Sequence, residues 1–161
     1  MESETIASLR RGVEAALVAS VPQVLVPHVE ERLLGLGQDE AELGPRFVEQ
    51  LARLAGRRLP EDTKWLAASS FHFGYAAFWG ALYALAYQRR PVPPLLGGAL
   101  LSAVVWAAAF AQWGGAVQTG TERPPGSRRW QRELILATAP FVFGLGTALL
   151  YGRGARPAPA A

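Results

Sequence analysis

The chain has 161 residues, of which 50% are hydrophobic and 18% charged, with a net charge of +3. It contains no cysteine, which excludes disulfides, thiol catalysis, iron–sulfur clusters and cysteine-based zinc sites. The small basic excess, with no stretch alternating basic and aromatic residues, argues against nucleic acid as a partner and suits anionic lipid headgroups.

Charge is absent from three long stretches, 65–87, 95–117 and 134–151. A helix crossing the hydrocarbon core needs about 20 mostly apolar residues. A charge at its centre costs at least about 2.5 kcal/mol. The pattern predicts an all-α integral membrane bundle of four transmembrane helices, with an amphipathic helix between spans one and two. One domain, 1–151, is expected, multi-pass in a membrane, with the lipid bilayer as its main partner.

The first expected span covers 12–34, most apolar between Ala15 and Val26. Pro22 and Pro27 each remove an internal helix hydrogen bond, so a kinked crossing is expected; the rival is a helix lying in the interface. Glu2, Glu4, Arg10, Arg11 and Glu14, with no small-residue cleavage site, do not read as a removed signal peptide.

The segment 37–63 is hydrophilic, and within it 45–55 is expected to be helical. Pro45 suits the first turn. Phe47, Leu51, Leu54 and Ala55 fall on one face. Glu42 with Arg46 and Glu49 with Arg53 are acid-then-base pairs at the favourable spacing. This helix can pack on the bundle end or lie on headgroups. Gly56 and Pro60 end it, and Asp62 or Thr63 is placed to cap the next helix.

Span two is expected at 64–87. The turn 88–94 is short enough to force an antiparallel neighbour, span three at 95–118. A loop rich in Gly, Pro and Arg, 119–129, precedes span four at 131–151, and 152–161 is expected to be a disordered tail. Small residues recur four apart in each span, a spacing that lets helices approach closely in lipid. The sets are Gly12, Ala16 and Ser20; Ala76, Gly80 and Ala84; Ala99, Ala103, Ala107, Ala111 and Gly115; and Gly144, Ala148 and Gly152. The third, the longest, is expected at the centre of the bundle. The arginines divide between the two sides without fixing an orientation.

Two histidines exist, His28 and His72. Counted from the ends of the helices joined by 37–63, each lies about eight residues, or roughly 12 Å, inside the same face, and both are expected to point into the bundle. Glu30 and Glu31 sit shallower. Ser69 and Ser70 precede His72, and Gln112, Gln118 and Thr138 reach the same half. His28, Glu30, Glu31, Ser69, Ser70, His72, Gln112 and Thr138 thus form a candidate polar cluster, since an ionisable group inside a span is a functional candidate by default.

The histidines can ligate a haem, hold a metal with a glutamate or pass protons. They can also simply bond a neighbouring helix, with Pro27 opening a carbonyl that His72 can satisfy. His72, Tyr75, Ala76, Trp79 and Tyr83 share one helical face, which suits packing, with Trp65, Tyr83 and Tyr87 at headgroup level. No phosphate loop, nucleophile elbow or His-Glu-x-x-His motif is present.

The run Ser69-Ser70-Phe71-His72-Phe73-Gly74-Tyr75, with Gly80 and Tyr83, resembles the uncharacterised YagU-like bacterial inner-membrane proteins, as does the first span from Gly12 through Pro22 to Glu31. The resemblance covers two spans, and it implies a multi-span bacterial membrane protein without established chemistry. The expected function is a small membrane protein of non-enzymatic, structural or accessory role, without a cofactor, packed against other membrane subunits or copies of itself. A proton, ion or small-solute pathway through His28, His72 and the nearby glutamates is the alternative, and haem or metal binding the second.

Overall fold

A computed structural model describes residues 2–35 and 43–154. Among them every regular element is helical: α1 (Glu2–Leu33), α2 (Leu43–Leu54), α3 (Glu61–Arg89), α4 (Pro94–Phe110), α5 (Gly115–Gln118) and α6 (Trp130–Gly154). The long helices begin or end beyond the expected spans. α1 starts ten residues early and runs through both Pro22 and Pro27, and α6 continues to Gly154, into the segment expected to be a disordered tail. The rest of that tail, and Glu42 with its expected partnership to Arg46, lie outside the described residues.

Among the described residues three helical stretches are long and apolar enough to cross a membrane: Glu2–Leu33, Pro94–Gln118 and Trp130–Gly154. The fourth expected span, α3, has the length, at 29 residues. Ser69, Ser70, His72 and the charged first turn at Glu61, Asp62 and Lys64 dilute its apolar character. The stretch Pro94–Gln118 is interrupted: α4 stops at Phe110, and the chain turns through 111–114 before α5. Gly114 is required in that turn, because a Cβ there would lie 2.5 Å from the Ala109 carbonyl carbon.

The four long helices alternate in direction around a ring. α1 packs on both α3 and α6, and α6 also packs on α4. α3 and α4, neighbours in sequence, meet only sparsely, with the Tyr83 hydroxyl against Gly97 near their connecting turn. The ring is therefore closed at the end holding that turn and splayed at the other.

Small residues set the close contacts. Gly12 and Gly80 face each other so tightly that a Cβ on either would overlap the other's carbonyl oxygen. Ala16, Ser20, Ala76 and Ala84 are buried along the same seam, as their spacing predicts. Gly144 and Ala148 are likewise buried in α6.

The longest stripe is the exception. Ala99 and Ala103 face outward, and the buried face of α4 is Gly97, Gly98, Leu101, Ser102 and Val105. In an alanine-rich helix several faces carry small side chains. Backbone approach is decided by the smallest group and by a hydroxyl that can bond. A Cβ on Gly144 would sit 2.6 Å from the Gly98 carbonyl oxygen, and Ser102 donates to that oxygen at 2.8 Å. α4 also ends before Ala111 and Gly115, so the five positions do not lie on one helix.

α2 lies across the splayed end. Phe47 meets Phe71 of α3 at 4.9 Å between ring centroids, and Val48 is buried. Leu51 and Leu54, expected on one face with Phe47, are exposed. α3 begins at Glu61 with Pro60 as its N-cap and no side-chain cap; Thr63 donates back to the Pro60 carbonyl at 2.9 Å in place of the cap expected from Asp62 or Thr63.

Candidate functional site

Charge is concentrated at the splayed end. The loop between α5 and α6 folds inward, and the first turn of α6 brings Arg132 beside Glu122 of the loop. Arg132 donates to one oxygen of Glu122 through Nε at 3.1 Å and also through Nη2. Its Nη1 lies 3.8 Å from Glu31 near the end of α1. Arg128 adds a second layer. It reaches Glu133 at 3.1 Å and Glu122 at 3.9 Å, and donates at 3.0 Å to the Phe110 carbonyl, one of the groups a helix end leaves without an internal partner. The side chains of Arg128, Arg132, Glu31 and Glu122 are 1%, 9%, 6% and 7% exposed. Charges this well buried persist only when paired, so the cluster binds α1, α6 and the loop as a unit.

α2 is tied to the same end by weaker, solvated bonds. Arg46 donates to the Thr121 carbonyl at 3.0 Å. Glu49 is 3.2 Å from Lys64 at the start of α3 and pairs with Arg53 at 2.7 Å. The Lys64 hydrogen bond is the main reason that the Glu49 carboxyl titrates below its usual value, with desolvation opposing it and Arg53 adding to it.

Beneath α2, between the splayed α3 and α4, lies a cavity of about 420 Å³. Most of its lining is apolar, including Phe47, Phe71, Val105, Ala108, Phe110 and Leu136. Its polar groups come from three helices: Gln23, His28 and Glu31 from α1, Ser69 and His72 from α3, and Arg132 from α6. His72 reaches α1, with Nε2 at 3.3 Å from the Ser20 carbonyl oxygen. A carbonyl only accepts, so Nε2 carries the proton, and in a neutral ring Nδ1 is left as an acceptor. At its inner limit the cavity meets Val105 and Pro140. Nearby, the ring is filled by Ala16, Ala84 and Phe143, all buried.

The expected polar cluster is only partly assembled. His28, Glu31, Ser69 and His72 line the one cavity. His28 is exposed and sits 3.9 Å from Glu31, whereas it was expected to point into the bundle. A residue near the C-terminal end of α1 has fewer helices around it than one at mid-span. His72 bonds the Ser20 carbonyl, not the one that Pro27 leaves open at Gln23, because α3 crosses α1 a turn earlier. Glu30 is half-buried beside this end but does not line the cavity, and Ser70 is exposed. Gln112 is exposed, and only its backbone carbonyl is engaged, by Gln118 at 2.9 Å. Thr138 donates to Leu134 of its own helix at 2.9 Å. Among the described residues no group of three or more His, Cys, Asp or Glu comes together in a form that could hold a metal ion.

Arg132, Glu122 and Arg128 are the site residues that the sequence pattern missed. Read along the chain, 122–133 is a charged loop flanking a span. Its arginines bracketed by two acids, Glu122 and Glu133, were the available signal that these charges bond one another. No protein-family model, curated protein or solved structure matches the chain.

Proposed function

We propose that this chain is a four-span protein of a bacterial inner membrane, with α3 as the fourth span and α2 as an interfacial helix, and that its role is structural or accessory. One observation carries the reading: the buried arginines and glutamates at the splayed end are engaged with each other and with backbone. Glu31, Arg132, Glu122 and Arg128 form one buried cluster with part-exposed Glu133 at its edge, and His72 bonds across to α1. Such a cluster fixes helix positions and leaves few groups poised for proton transfer or catalysis. The short motif of α3 that resembles the YagU-like proteins is consistent with it. In this reading α3 belongs in the bilayer because it is flanked by three apolar helical stretches and exposes Leu66, Phe73, Phe78 and Leu82, and α2 sits at headgroup level with Leu51 and Leu54 turned outward.

A pathway for protons or small solutes is the second reading, favoured by His28, Glu31 and His72 lining one cavity. Against it stands the packed core of small residues and Phe143 towards the opposite end. The native absence of cysteine makes the span count directly testable. Single cysteines at Ser3 and Gln88 should label from one side of intact membranes, and those at Arg57 and Ser127 from the other. Labelling of Gln88 and Arg57 from the same side would remove α3 as a span. In liposomes, a proton leak that vanishes with His72→Gln would replace the accessory role with the pathway.

A further inference from the structure

The cavity between α3 and α4 is two-faced. Gln23, His28 and Glu31 of α1, with Ser69 and the ring of His72 from α3, supply polar groups; the α4 side is Val105, Ala108, Ala109 and Phe110. Its volume, about 420 Å³, falls in the roughly 300–1,000 Å³ range of small-molecule sites. Because α3 and α4 scarcely meet, the apolar side is the one that faces the gap between them. A molecule entering there from the bilayer would place a polar head on the inner wall and leave its chain along α4 and in the gap.

Two details restrict that head. The ionic groups of the lining, Glu31 and Arg132, already belong to the buried cluster with Glu122. A charged head would have to compete for groups held in buried pairs, and disrupting such pairs is costly. The second detail is the tautomer of His72: with Nε2 donating to Ser20, the neutral ring offers Nδ1 as an acceptor, which a hydroxyl can satisfy. We propose that this cavity binds one uncharged, hydroxyl-bearing amphiphile, such as a monoacylglycerol or a long-chain alcohol, with its hydroxyl on His72 and its chain against α4. The proposal rests on α3 lying in the bilayer, which the cysteine labelling above decides independently of any ligand.

The test is native mass spectrometry of the whole chain released from detergent, after incubation with one of four probes: monoolein, methyl oleate, oleate and oleylamine. One monoolein should be retained per chain, about three- to tenfold more strongly than methyl oleate, the range one hydrogen bond supports, with less retention of the charged probes. Ala108→Phe, which fills the cavity from an exposed position on α4, should abolish retention. His72→Phe should lower monoolein to the level of methyl oleate, while His72→Gln, which keeps an acceptor, should restore it. Retention of oleate or oleylamine equal to that of monoolein overturns the uncharged head. Retention unaffected by Ala108→Phe places the ligand elsewhere, unaffected by His72→Phe removes the hydroxyl contact, and no single retained molecule for any probe removes the site.

Discussion

The two ends of the helical ring are held by opposite means. At the end carrying the 88–94 turn, backbones touch through Gly12, Gly80, Gly98 and Gly144. Two polar bonds join helices there: Ser8 with the Tyr151 hydroxyl at 2.6 Å, and Arg11 with the Gly154 carbonyl at 3.0 Å. At the α2 end, helices stand apart and a buried cluster of arginines and glutamates bridges them. Small residues give close contact but fill little space. Ion pairs join elements across a wider separation but impose strict pairing. The cavity lies at the second end, where the helices are joined without being brought into contact.

Breaking the charged end should have the larger effect. Arg128→Met leaves the buried Glu122 and the part-exposed Glu133 without one of their cations, so a loss approaching the roughly 3–5 kcal/mol of breaking a buried pair is expected. Reversible unfolding in mixed detergent micelles would read the loss. The double variant Arg128→Met with Glu122→Leu should lose less than the sum of the single losses, because the two residues share one network.

The closed end should respond to volume instead. Gly80→Leu meets the Gly12 carbonyl and Ala16, so a loss at the upper part of the roughly 1–3 kcal/mol overpacking range is expected. Gly74→Leu, on the same helix with nothing within 4 Å of a Cβ, should leave stability unchanged or slightly raised. On α4, Ser102→Leu should destabilise by about 1–3 kcal/mol, while Ala103→Leu is neutral; thermal melts of the two in detergent separate the buried face from the outward one.

The smallest effect belongs to α2. The folded-state pKa of Glu49 is lowered, so its contribution to docking α2 on α3 is present above the ordinary carboxylate value of 4.5 and is lost as pH falls through the lower, folded value. Protease nicking of 55–60 should therefore increase in acid below that value, and Glu49→Gln should remove this acid dependence.

Much of this molecule was written in its apolar pattern. The helices, the alternation forced by the 88–94 turn and the seams at Gly12, Gly80 and Gly144 followed from spacing, because small residues at four-residue intervals let helix backbones approach closely. The phase of α4 did not follow: alanine is nearly as small on every face, and only Gly98 with Ser102 distinguishes the buried one. His28, Glu31 and His72 were traceable by counting depth along helices of known rise. Arg132 and Glu122 were not, because their meeting depends on how the 111–129 loop folds inward, which Gly114, Gly120 and Gly126 permit but do not dictate.

The central claim, a ring closed at one end and splayed at the other, is tested most directly by electron–electron spin-resonance distances between labelled cysteines in lipid. One pair, Ser70 with Ala108, spans α3 and α4 at the α2 end; the other, Ala86 with Leu96, spans them near the turn. The separation should be several ångströms larger for the Ser70–Ala108 pair. Equal separations, or a shorter one for Ser70–Ala108, would mean that α3 and α4 pack along their whole length and that neither the cavity nor its bridging charges act as described.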